Sequence, residues 1–270
     1  AEIIQEQKLD VIILQEVEGI EPLLRFNTKF LDDQYQVIMQ NGNDTRGIEI
    51  GFLVKKDLPF DIRLHSHAHH SWINPAINKK AKIFSRDLPA LHIRLKTTSM
   101  NDPPDLIVAG THYKSQRDRS NDPRSAKLRT KQVDETRDIL EGYQNKYPGT
   151  PIMLGGDFNA DVHSMPEFKG LFRDNFMKDS LDLNGPISKS QRVTQSYHPR
   201  NGNTQYSQLD AILVDKNAAN YVEQAKVYRY KDIDGKEKPL PKTYAERELN
   251  PSDHYMVMIK ANLKKMFNKK

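Results

Sequence analysis

A strand-length apolar run, Pro151-Ile152-Met153-Leu154, passes directly into Gly155-Gly156-Asp157-Phe158-Asn159. Two glycines permit a turn too tight for residues that carry a Cβ. The turn presents a carboxylate and an amide, two residues apart, at the mouth of a buried strand. A site that handles a phosphate and a hard cation needs oxygen ligands and a neutral amide in fixed geometry. Gly-Asp-x-Asn also suits an ordinary turn, so its neighbours in the fold decide its meaning.

Other apolar runs end in, or enclose, polar clusters. Val11-Ile12-Ile13-Leu14 leads into Gln15-Glu16-Val17, and Leu106-Ile107-Val108-Ala109 into Gly110-Thr111-His112-Tyr113-Lys114-Ser115. Asp210 lies inside the run Gln208–Val214, and Ser252-Asp253-His254 opens the run from Tyr255 to Ile259. A charge within or at the edge of an apolar strand is costly unless paired or metal-bound. Several at comparable strand positions point to one shared site.

LQEV at 14–17, THYKS at 111–115, GGDFN at 155–159, QLDAIL at 208–213 and SDH at 252–254 resemble, in order, motifs of the endonuclease/exonuclease/phosphatase superfamily. Its members include deoxyribonuclease I-like enzymes, and the resemblance covers nearly the whole chain. It implies an α+β fold, a four-layer α/β/β/α sandwich of two mostly antiparallel sheets with outer helices. It also implies Mg²⁺-dependent hydrolysis of phosphate esters, with Mn²⁺ as the alternative ion. Family members usually open with a strand bearing an Asn that reaches the site. Here the residues before Leu14 read as a helix, Ala1 to Leu9, and the start of the Leu14 strand. Truncation is the expected reason.

The resemblance, together with the positions of single residues and the basic run after His112, suggests roles residue by residue. Glu16 is expected to bind Mg²⁺, an ion that takes only one or two protein carboxylates. Asp157 would position or deprotonate the attacking water, and Asn159 would hold that water or a phosphate oxygen. Asp210 and His254 form an expected pair, in which a carboxylate fixes the imidazole tautomer and favours its cation. Asp253 is expected at the metal. His112 would donate to a phosphate oxygen or the leaving group, with Glu49 as an orienting acid. Arg46, before Gly47, reads as a phosphate contact or a solvent-exposed loop arginine, and Arg86 as a support for the site. Lys114 and Arg117 are expected to grip the phosphate.

Length and charge agree with this. The 270 residues hold no Gly-, Ser- or Pro-rich linker and no repeat, so a single domain over 1–270 is expected. There are no cysteines, which excludes disulfides and thiolate metal sites. No apolar stretch is long enough to span a membrane, and no signal peptide is visible. Net charge is +5 and the segment Lys114–Lys131 is strongly basic, which favours anionic partners. The expected function is therefore a monomeric, metal-dependent phosphodiesterase, a nuclease acting on DNA or RNA. The alternatives are a phosphomonoesterase or lipid phosphodiesterase, or an inactive binding module of the same fold. Resemblance to secreted bacterial nucleases around HYKS and GGDFN points to export.

Strand patterns fall at 35–40, 48–54, 62–65, 90–95, 106–111, 152–154, 208–214, 225–230 and 255–261. Helical spacing of Val133, Thr136, Leu140 and Tyr143 predicts a helix over 125–145, and a shorter one is expected over 165–172. Segments 184–206 and 232–250 read as long loops. His65, His67, His69 and His70 have no supporting acid or Cys spacing and read as a solvated loop, while Trp72 reads as packing.

Overall fold

The computed structural model describes residues 1–75, 78–99, 101–118, 121–199 and 203–267. The first half holds α1 (Glu2–Gln7), β1 (Val11–Val17), α2 (Ile20–Phe30), β2 (Tyr35–Met39), β3 (Glu49–Lys55), β4 (Phe60–His65), β5 (Ser71–Asn74), β6 (Lys79–Lys82), β7 (Ala90–Leu95), β8 (Leu106–His112) and α3 (Ala126–Lys146). The second half holds β9 (Ile152–Asp157), α4 (Lys169–Phe172), β10 (Lys178–Asp179), α5 (Lys189–Arg192), β11 (Gln195–Tyr197), β12 (Gln205–Ser207), β13 (Asp210–Val214), α6 (Lys216–Ala219), β14 (Val222–Val227), α7 (Tyr244–Glu248), β15 (Val257–Ala261) and α8 (Leu263–Phe267). This is a mixed α+β fold.

The main sheet has the order β10-β13-β9-β8-β7-β4. Its pairs are antiparallel except β8 with β9. Parallel neighbours need a long crossover, and α3 supplies it. Every residue of β8 is buried, as a central strand covered on both faces requires. A smaller antiparallel sheet has the order β1-β3-β2, and β14 pairs with β15.

Three apolar clusters join these parts. Ile107, Ala109, Ile152 and Leu154 of the main sheet pack with Val133 and Leu140 of α3. The opposite face, through Leu91, Ile93, Val108 and Met153, meets Ile50, Phe52 and Val54 of β3, with Ile259 and Ala261 of β15 beside them. Ile12 and Leu53 turn the other way, onto Ile4 of α1 and Leu23 of α2.

Two expectations need correction here. The four-histidine segment is not a solvated loop as a whole. His67 is buried, with Nδ1 against the Leu88 carbonyl and Nε2 2.9 Å from the Tyr143 hydroxyl. The His65 ring lies against buried His92, tilted by 33° with 3.9 Å between ring centroids. Their rings supply aromatic area between β4, β7 and the end of α3, and burial holds both below the ordinary imidazole pKa. Trp72 packs against the core as expected. The two segments read as long loops also carry structure: α5, β11 and β12 in the first, α7 in the second. Residues 200–202 of the first lie outside the described residues.

Candidate active site

The row of site groups follows from strand register. Asp210 of β13 sits opposite Asp157 of β9, and Asp157 sits beside His112 of β8. Residues paired across neighbouring strands project to the same face. All three strands therefore end their apolar runs at one level, with polar groups side by side. Gly156 makes this possible: at φ 145° it lies where a Cβ would stand 1.9 Å from the Thr111 carbonyl oxygen. β8 and β9 can approach there only with glycine. Asn159, at φ 56°, folds back so that its N–H and side-chain amide donate to the two Asp157 oxygens at 2.7 and 3.0 Å. The same amide donates to the Tyr113 carbonyl at 2.9 Å.

His254 arrives from the segment before β15. An isolated bridge to Gln195 of β11 holds it, and its carbonyl accepts the Tyr230 hydroxyl at 2.7 Å. Its Nδ1 lies 2.8 Å from Oδ2 of Asp210. Burial alone would lower the His254 pKa, but that hydrogen bond and the Asp210, Asp157 and Asp253 charges raise it to about 9. The expected pair is thus present, with a cationic imidazole favoured at neutral pH. Burial, followed by the Asp210 charge, pushes the Asp157 carboxyl upward. One ligand atom each of Asp157, Asp210 and His254 lies within 4.8 Å of the others.

His112 differs from its neighbour His254. It is buried, and burial together with Arg86 lowers its pKa to about 3. It is a neutral imidazole, with Nε2 3.5 Å from Asp157 Oδ2, too long for a firm hydrogen bond. The expected Glu49–His112 contact is not made: His112 Nδ1 and Glu49 Oε2 are both buried without a hydrogen-bond partner among the described residues. Glu49 is buried, and burial pushes its carboxyl pKa upward.

These groups line a cavity of about 690 Å³. Its wall also carries Glu16, Arg46, Lys114, Arg117 and Asp253, so every residue singled out from the sequence as catalytic, substrate-binding or metal-binding meets there. Glu16 reaches it through a β-bulge. Leu14 pairs with Gly51 and Val17 with Glu49, so Gln15 and Glu16 together oppose Ile50, and Glu16 takes φ 55°. A bulge re-aims a side chain at the end of a strand. Asp253 faces Arg247 at 3.7 Å. The basic run divides: Lys114 and Arg117 line the cavity, whereas Arg129 is buried against Glu167 at 2.7 Å and Lys131 pairs with Glu135. Arg119 lies outside the described residues. Much of that run therefore holds α3 in place.

Sequence reading missed Asp44, which lines the cavity between Arg46 and Arg86. A lone Asp before Thr45-Arg46 in a loop reads as a turn former, and no periodicity marks it. Gln15, Asn43, Thr45, Ser85, Ser115 and Ser252 complete the wall, which among the described residues carries no aliphatic, Phe, Tyr or Trp side chain.

A profile of the Endonuclease/Exonuclease/phosphatase family matches residues 1–254. The chain belongs to this family. Its members hydrolyse phosphate esters with a divalent metal, and the chain is accordingly a phosphoester hydrolase. No curated protein matches the sequence. Among solved structures, a truncated TDP2 of Caenorhabditis elegans superposes with a TM-score of 0.61 at 17% identity, covering 95% of this chain and 86% of that one. A mannosyl-6-phosphatase of Bacteroides thetaiotaomicron gives 0.61 at 15% identity, with 97% and 88% covered. D. rerio TDP2 complexed with a single-strand DNA product gives 0.61 at 15%, with 97% and 89% covered. At these identities the likeness shows a shared fold.

Proposed function

We propose that this family member is a Mg²⁺-dependent phosphodiesterase that cleaves nucleic acid, built on the family's four-layer sandwich. The observation that carries the reading is the in-register row His112, Asp157, Asp210, completed by His254 at 2.8 Å from Asp210. The donor set suits a hard cation, because Glu16 and Asp253 add carboxylate oxygens to the cavity that holds the crowded Asp157 and Asp210. Glu16 and Asp253 would hold the ion. When bound, it supplies Lewis-acid polarisation of a phosphoryl oxygen.

The chain's own groups do the rest. Asn159 holds Asp157 by two hydrogen bonds, which fixes the carboxylate that aligns the attacking water and takes its proton. Asp210 keeps His254 cationic and oriented, so the imidazolium offsets charge that builds on the phosphoryl oxygens. Neutral His112 donates to a phosphate oxygen from the third strand. Lys114 and Arg117 add positive charge at the rim.

A second reading, a phosphomonoesterase of small hydroxylated substrates, draws on the wholly polar wall and on the likeness to a mannosyl-6-phosphatase. The polar wall weighs against a lipid substrate. Export from a bacterial cell remains part of the proposal through the HYKS and GGDFN resemblance alone. Plasmid DNA and mannose 6-phosphate, offered in parallel with Mg²⁺, separate the readings. Nicking that weakens steeply as salt rises supports the nuclease. Release of phosphate from the sugar alone supports the phosphomonoesterase.

A further inference from the structure

The last two strands part before they reach the site. β14 and β15 pair with Val227 opposite Val257, and the Tyr228 N–H still donates to the Met256 carbonyl at 2.8 Å. Continued in that register, the ladder would set Arg229 against Tyr255 and Tyr230 against His254. Beyond Tyr228, however, the main chain changes partner. The Tyr230 carbonyl accepts from the Lys238 N–H at 2.8 Å, and Lys231 bridges Glu237. Side chains span the opening toward His254 instead. The Arg229 guanidinium lies over the Tyr255 ring at 4.7 Å, and the Tyr230 hydroxyl donates to the His254 carbonyl at 2.7 Å. A carbonyl can only accept, so the direction of that bond is fixed.

The two members of the Asp210–His254 pair are held in different ways. Asp210 lies in β13 of the main sheet, and its N–H donates to Oγ1 of fully buried Thr194 at 2.9 Å. The Thr194 carbonyl accepts the Tyr255 N–H at 2.7 Å. Arg229 donates to the carbonyls of Val193 and Ser190 at 2.6 and 2.7 Å, which ties the chain before Thr194 to the end of β14. His254 itself stands outside every strand, and its side chain is 32% exposed. Its N–H donates to the Ser252 hydroxyl, within its own turn, at 3.1 Å. Packing at a third-exposed ring leaves room for the main chain to shift. Misplacing a catalytic group by about 1 Å costs on the order of a hundredfold in rate.

We propose that Tyr230 is a positioning residue for hydrolysis. Its hydroxyl holds the His254 main chain where the strand ladder has ended, so that the imidazole meets Asp210. The inference rests on the reading of His254 as part of the hydrolytic site. Tyr230 touches neither the substrate nor the reacting atoms in this account, and it acts through His254.

The test compares wild type with Tyr230→Phe, which removes one oxygen and keeps the ring. Tyr228→Phe is the control, because the Tyr228 hydroxyl donates to Glu6 of α1 at 3.2 Å, away from the site. The side-chain ¹⁵N shifts of His254, assigned by their loss in His254→Gln, read the pair without turnover. In Tyr230→Phe they should move toward the values found in Asp210→Asn, and in Tyr228→Phe they should stay at those of wild type. With bis(4-nitrophenyl) phosphate and Mg²⁺, Tyr230→Phe should lower kcat roughly three- to tenfold at unchanged KM, the scale of one net hydrogen bond. Tyr228→Phe should keep the kcat of wild type. Unmoved His254 shifts in Tyr230→Phe, a loss carried by KM alone, or equal losses of kcat in the two Phe variants overturn the proposal. If the wild type does not cleave the diester while the shifts behave as expected, the phosphodiesterase reading fails and the hold of Tyr230 on His254 stands.

Discussion

Single residues carry the chemistry, and their surroundings set opposite protonation states on chemically identical groups. His254 and His112 are imidazoles in one cavity, His112 buried and His254 partly exposed. His254 has a carboxylate at 2.8 Å and is favoured as a cation, whereas His112 faces Arg86 and is neutral. Asp210→Asn should therefore remove the His254 cation as well as one carboxylate. Its loss of kcat should match that of His254→Ala, and the double variant should be little worse than either, since groups that act as a unit are not additive. A double variant whose loss equals the product of the single losses would separate the two roles. His92 gives a stability prediction away from the site. Its folded pKa is lowered from 6.5 to about 3, first by burial and then by His65 and Arg94. A depressed imidazole leaves stability unaffected above pH 6.5 and erodes it as pH falls from 6.5 toward 3, because the unfolded chain binds the proton first. The slope from one such proton is about 1.4 kcal/mol per pH unit. Urea unfolding of His92→Phe should show a flatter decline between pH 7 and 5, and an unchanged slope would remove His92 from the account.

At the scale of elements, the legible parts were those where one physical rule dominates. β7 was read with its observed bounds and β8 to within one residue, since β7 alternates apolar and polar residues and β8 opens on the apolar run Leu106–Ala109. α3 was legible from Val133, Thr136 and Leu140, all buried on one face. α2 was missed, although Ile20, Leu23, Asn27 and Leu31 recur at helical spacing. Pro22 and a buried Asn27 masked the signal. Pro is tolerated in a first turn, and Asn27 is a polar member of the buried face. Its amide donates to Asp33 at 2.9 Å and to the Tyr35 carbonyl at 2.7 Å, and it accepts from the Tyr35 N–H at 3.2 Å. Asn27 thus clamps α2 to the start of β2. Asn27→Ala should cost about 1–3 kcal/mol, because buried backbone groups lose their partner, as read from the denaturant midpoint. A cost near zero would mean that α2 is held by Leu23 packing alone. The site itself was legible because its residues stand in motifs at strand ends. Asp44 and the Gln195 bridge to His254 were not, since Asp44 lies in a loop and the bridge joins β11 to a segment far from it in sequence.

Over the whole molecule, the strands and the loops between them bring residues from 15 to 254 into one cavity, so the site exists only when nearly the whole chain is folded. Ligand binding and folding are then coupled by mass action. Mg²⁺ at saturating concentration should raise the thermal midpoint of the wild type and have a smaller effect on Glu16→Gln. An equal rise in both would move the ion away from Glu16. Among the described residues no helix is long and apolar enough to cross a membrane. The most direct test of the central claim is the rate of Mg²⁺-dependent phosphodiester hydrolysis by wild type and Asp157→Asn, with circular dichroism confirming that both are folded. The row of His112, Asp157, Asp210 and His254 predicts turnover that stops in a chelator and falls by several orders of magnitude in Asp157→Asn. Equal rates in the two proteins, or turnover that survives the chelator, would contradict it.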